Sequence, residues 1–245
     1  MPPALRRARA VVTLTACLVV LVACRADGPT PLEQIASSPQ EGVAENGLDQ
    51  RSAEDALADV LDALEGQDSY HVIGSSAGGG MVDISFQGGT GAAGTVGSES
   101  PVTLVALDGR VYVTGDAEFM AENVGADAAT RMADKWLLLP ADATSDFSIF
   151  ADGTSFAQAV IGDQGPVEMS GVREVKGVPA VGLVFPETGG TLWVSAEGAP
   201  LPIQFEEKGA SAGTGVLTFS GFGAEVAIEA PAAESVVDIE KLPQQ

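Results

Sequence analysis

Ser76 sits at the centre of Gly74-Ser75-Ser76-Ala77-Gly78, a G-x-S-x-G match of the kind that presents a serine nucleophile to an acyl group. That chemistry requires a strand before the serine, a helix after it and a histidine later in the chain. Here Gly79, Gly80 and a strand-like run follow, and the single histidine, His71, lies upstream. The match is therefore read as a loop. Gly89-Thr90-Gly91-Ala92-Ala93-Gly94 fits G-x-G-x-x-G, but cradling a phosphate depends on the amides of a helix N-terminus, and a strand-like run follows instead. These glycines read as a flexible or bulged hairpin. One histidine without a second His or Cys in the folded part excludes the usual zinc or iron sites, and no D-x-[DN]-x-[DN]-G loop offers calcium its oxygen ligands. His71 is assigned a structural role at the start of a strand. No catalytic residue, cofactor-binding residue, cofactor or metal ligand is assigned, and the chain is not expected to be an enzyme.

The remaining reactive group is a thiol. Arg6, Arg7 and Arg9 precede an apolar run from Ala10 to Val22, which is too short for the ~20 apolar residues that span a bilayer. A basic start, a short apolar middle and a small-residue exit form a secretory signal. The exit, Leu21-Val22-Ala23-Cys24, resembles the lipobox of bacterial lipoproteins, in which the cysteine receives a diacylglyceryl group before cleavage in front of it. Leu14-Thr15-Ala16-Cys17 fits the same pattern but stands too close to Arg9 to leave an apolar middle. Cys24 is the expected lipidation site and residues 1–23 the signal peptide. Arg6-Arg7 lacks the rest of a twin-arginine motif, so ordinary Sec export is expected.

Removing the signal leaves 9 basic against 34 acidic residues, a net charge of −25. Such a surface repels nucleic-acid phosphates and anionic headgroups, so attachment to the outer face of the cell membrane must come from acyl chains. Two chains anchor stably where one holds only marginally, and a diacylated cysteine meets that condition. With Cys17 removed and Cys24 modified, the folded part has no disulfide, and a Val-, Leu-, Ala- and Ile-rich core must stabilise it.

The elements that follow must build that core. Residues 24–51 are polar, rich in Pro, Gln, Ser, Glu and Gly and without periodicity, which reads as a lipidated, disordered tether. Residues 52–245 form the expected domain. Ser52 and Asp55 resemble a capping pair, and Ala53, Leu57, Val60, Leu61 and Leu64 recur at helical spacing up to Gly66. The period then changes to two. Strands are expected near 69–75, 81–87, 92–97, 101–107 and 110–114, with Asp108-Gly109 as a hairpin turn. Met120, Val124 and Met132, then Phe147, Phe150, Phe156 and Val160, mark two or three short helices, the second stretch broken near Gly153. Strands return near 166–175, 178–185, 190–196, 201–207, 214–220 and 225–229. The fold class is α+β: a single large curved antiparallel sheet, a half-barrel of about 11 strands, with helices packed on its concave face. Trp136 and Trp193 read as core or as ligand contacts, and the same two readings stand for Met120, Met132, Phe147, Phe150 and Phe156.

In order, Ser69-Tyr70-His71-Val72, Gly109-Arg110-Val111-Tyr112-Val113, Lys135-Trp136-Leu137, Leu192-Trp193-Val194, Pro200-Leu201-Pro202-Ile203 and Leu217-Thr218-Phe219-Ser220-Gly221-Phe222-Gly223 resemble the actinobacterial lipoproteins of the LppX, LprA, LprF and LprG type. These share a half-barrel with the lipoprotein carrier LolA. The resemblance covers about residues 52–240. It implies a hydrophobic cavity between sheet and helices for an acylated lipid or glycolipid, in a monomeric carrier with no catalytic motif. A collapsed half-barrel would instead make an envelope adaptor or regulator without a lipid ligand. Cys24→Ala is expected to move the protein from the membrane fraction to the medium, and lipid detected on Cys17 in a chain that stays membrane-bound would refute the assignment.

Overall fold

The computed structural model describes residues 44–88, 91–130, 132, 134–139, 147, 149–150, 152–208 and 214–241. Cys17, Cys24, the signal and the tether as far as residue 43 lie outside the described residues, as do Gly89 and Thr90.

The first helix, α1 (Ala53–Glu65), begins where a donor-poor end can be capped: the Ser52 hydroxyl accepts from the Asp55 N–H at 3.1 Å. Its Ala56, Val60 and Leu64 are buried on one face. Five strands follow as a meander, β1 (Ser69–Ser75), β2 (Met81–Gln87), β3 (Gly91–Gly97), β4 (Val102–Leu107) and β5 (Arg110–Thr114). Asp108 and Gly109 join the last two with φ of 51° and 73°, the left-handed pair that a type I′ hairpin requires. Then come α2 (Ala117–Val124), α3 (Ala126–Ala129), the short β6 (Trp136–Leu138) and α4 (Gly153–Val160). A second meander, β7 (Glu168–Val175), β8 (Val178–Phe185), β9 (Gly190–Ser195), β10 (Pro202–Lys208) and β11 (Thr214–Ser220), precedes the short β12 (Val236–Asp238).

All twelve strands form one open sheet in the order β12-β6-β5-β4-β3-β2-β1-β11-β10-β9-β8-β7. The meanders join where β1 runs antiparallel to β11, with His71 opposite Ser220 and Ser75 opposite Val216. β12 lies parallel to β6, so the sheet is mixed rather than purely antiparallel. Alternate residues of each strand, such as Val72, Ile84, Leu104, Leu183 and Leu217, share one core with α1, α2 and α4 on the inner face. Aromatic rings fill its middle. The Tyr70 and Phe86 centroids are 4.8 Å apart, and those of Phe86 and Phe156 are 5.0 Å apart.

Two expectations are corrected. Residues 225–229 are not a strand: Val226 and Ile228 alternate because they lie across the outer face, against Val105 and Tyr112, without joining a ladder. The expected break near Gly153 is present: Asp152 is extended and Gly153 opens α4. A Cβ there would approach Tyr70 Cε1 to 2.6 Å, and the Tyr70 hydroxyl donates to the Gly153 carbonyl at 2.6 Å. The folded chain also starts earlier than Ser52, since Ala44 and Leu48 are buried and the Asn46 N–H donates to the Ala196 carbonyl at 3.0 Å. Two apolar side chains in a polar stretch carry no period, yet they are enough to pin it.

Phe86→Ala removes a ring with no exposed surface and should cost about 3–5 kcal/mol of stability, whereas Ile73→Ala, on the exposed outer face, should stay within about 0.5 kcal/mol. Urea unfolding of the two variants checks this, and equal losses would contradict the layering.

Candidate functional site

Among the described residues the inner face leaves a hollow at one end of the sheet. There an apolar cavity of about 350 Å³ opens between the strand ends and α4. Val82, Val96 and Leu217 form its floor, each from the inward-facing set of its strand; Phe150, Phe156 and Val160 form its roof. Met81 and Ile149 stand at the mouth, 53% and 38% exposed.

The roof is held by buried polar chemistry. α4 is capped by Asp152, whose Oδ1 accepts from the Ser155 N–H at 2.8 Å. Tyr70, beneath it, is driven by burial, reinforced by the Asp152 charge, to a pKa well above the ordinary tyrosine value, so its hydroxyl stays a donor to Gly153. Phe156 is thereby seated on Phe86, and Phe150 lies 6.0 Å from Phe156.

The wall at the mouth is backbone. A Cβ on Gly74 would overlap the Val216 carbonyl, and one on Gly215 would overlap the backbone of Ser76 and Ala77, so β11 closes tightly on the β1–β2 turn. Glu207 enters from β10 and accepts from the Ala77 N–H at 2.6 Å. It is the carboxylate at the cavity, and it also borders a second hollow of about 220 Å³ with Gln164, Thr188 and Lys208.

Ser76, the centre of the G-x-S-x-G match, is part of that turn. Its N–H donates to the Gly80 carbonyl at 2.8 Å, and its hydroxyl accepts from the Gly80 N–H at 3.2 Å. β2 follows where the elbow needs a helix, and His71 Nε2 lies 2.8 Å from Asp83 Oδ1 in the outward-facing set. The described part of the second glycine motif is strand: a Cβ on Gly94 would overlap the Asp83 carbonyl, which explains the glycine by close approach rather than by phosphate.

Of the aromatic and methionine candidates, Phe150 and Phe156 line the cavity, Met120 is fully buried core, and Phe147 and Met132 pack against that core. Both tryptophans face the other way. Trp136 packs with Tyr112 on the outer face. Trp193 donates to Glu206 Oε1 at 3.0 Å and lies under the Arg173 guanidinium at 3.6 Å, so neither meets the cavity. Val82, Val96 and Leu217 were legible only as inward strand residues, because strand periodicity does not show where the roof ends.

No family model and no curated protein matches the chain. Among solved structures it is similar to LprF from Mycobacterium bovis, at 18% identity and a TM-score of 0.48, over 78% of this chain and 100% of that one. It is also similar to the Mycobacterium tuberculosis lipoprotein LppX, at 13% identity and a TM-score of 0.42, over 71% of this chain and 97% of that one. A third similar structure is MucB in complex with MucA(peri), at 14% identity and a TM-score of 0.41, over 74% of this chain and 60% of that one.

Proposed function

We propose that the chain is an exported lipoprotein, tethered through Cys24 to the outer face of the cell membrane, that shelters the acyl chain of a lipid without performing catalysis. The observation that supports this is the apolar cavity under α4, open at one end and lined by Val82, Val96, Phe150, Phe156, Val160 and Leu217. Anchoring rests on the lipobox reading of Cys24.

Its size narrows the ligand. An apolar cavity of ~150 Å³ accepts benzene, so about 350 Å³ suits one chain of roughly a dozen carbons. The acylated lipid or glycolipid that the family resemblance implies would place one such chain there. Burying about twelve methylenes at ~0.8 kcal/mol each offers a driving force near 10 kcal/mol before association costs. The close-packed rings of Phe86, Phe156, Phe185 and Phe205 favour a second reading, an envelope adaptor without a lipid ligand.

Val96→Phe and Val160→Phe together place two rings into the cavity and should weaken binding of a fluorescent fatty acid about tenfold or more. Fluorescence titration of both proteins, with mass spectrometry of solvent extracts, decides between the readings. Unchanged affinity in the filled variant, or no probe binding and no extracted lipid in the unaltered protein, would support the adaptor.

A further inference from the structure

Among the described residues four large apolar side chains are exposed: Ile73 (42%), Met81 (53%), Ile149 (38%) and Val216 (39%). They are not scattered. Ser75 pairs with both Met81 and Val216, and Ile73 stands two residues from Ser75 on the same strand. Ile73, Met81 and Val216 therefore form one patch across β11, β1 and β2 on the outer face, and Met81 and Ile149 continue it around the cavity mouth.

Among the described residues nothing covers this strip. The C-terminal segment crosses the outer face elsewhere, where the Gly223 N–H donates to the Ser69 carbonyl and Ile228 packs on Val105 and Tyr112. Three carboxylates border the patch: Asp83 lies 2.8 Å from the His71 Nε2, Glu206 pairs with the Arg173 guanidinium at 2.8 Å, and Glu207 at the mouth accepts from the Ala77 N–H.

We propose that this end of the sheet docks, through Ile73, Met81, Ile149 and Val216, onto the surface of a bilayer with uncharged or zwitterionic headgroups. Four partly exposed side chains fall well short of the ~800 Å² per partner that a stable protein interface needs, which argues against a second copy. The mature chain's charge of −25 argues against an anionic surface. The patch is continuous with an apolar mouth, so a docked domain would open its cavity toward hydrocarbon.

The chain's path is compatible with this orientation and rests on the proposed anchoring. Asn46 fastens to Ser195, Ala196 and Gly198, at the end of the sheet opposite the mouth. From Cys24 to Ala44 the backbone can extend to roughly 70 Å, against about 26 Å for an eight-residue strand. A tether of that reach lets either end meet the membrane. It also holds the domain at a high local concentration, so a small patch suffices.

Ile73→Glu with Val216→Glu tests the patch, since both side chains are exposed and neither lines the cavity. The chain from residue 24 onward, with Cys24→Ser, is floated with phosphatidylcholine vesicles at millimolar lipid. The unaltered patch should float and the double variant should lose about tenfold in bound fraction, at an unchanged melting temperature. Adding phosphatidylglycerol should lower binding further. Absence of flotation, equal flotation of the two proteins, or a dimer that the double variant dissociates would overturn the proposal. Fatty-acid binding should persist in the double variant, so a failure of docking is separable from a failure of the cavity.

Discussion

The structure depends on the contact between α4 and the centre of the sheet. Without it the inner face of β1 and β2 would be an uncovered apolar surface, and the cavity would have no roof. Tyr70, Phe86 and Phe156 supply the apolar part of that contact, and the Tyr70 hydroxyl supplies the directional part by donating to Gly153. A buried hydroxyl left unpaired would cost more than the bond itself contributes, so the pairing selects one seating of the helix rather than merely adding stability. The absence of a side chain at residue 153 is what permits the approach.

The same contact explains why the interior is mostly full. A sheet that curls around helices has either to fill the space with side chains or to leave it for a guest, and the rings of Phe86, Phe156, Phe185 and Phe205 fill most of it. Where α4 ends and β2 and β3 reach their termini, the described side chains leave a hollow. That hollow is a local shortfall at the rim. Its polar accompaniment, Glu207 beside the turn around Ser76, lies at that rim.

Much of this was legible because strand alternation leaves a signature that seven or eight residues suffice to reveal. β1, β2, β5, β8 and β11 have the limits that alternation and turn residues indicate. β6 and β12, three residues each, have too few positions to show a period; β6 is held between β5 and β12, and β12 is held by β6. Val226 and Ile228 carry the alternation without the ladder, since lying on a sheet face imposes the same period as joining its edge. The direction of Trp193 depends on register, and Gly182 makes room for its ring in a way composition does not signal. The cavity was the least legible feature: its volume is a small difference between the space enclosed and the side chains occupying it.

The pairing of β1 with β11 joins residues about 150 positions apart, while nearly every other ladder joins neighbours in sequence. Each meander is a set of local hairpins with low closure entropy, but the seam between them waits for the whole chain. Until the last long strand is synthesised, both halves keep a row of open main-chain donors and acceptors. Such rows invite pairing with other chains. The order of assembly is therefore written into the topology: two fast halves and one slow weld, with the interval between them the time of greatest exposure to misassembly.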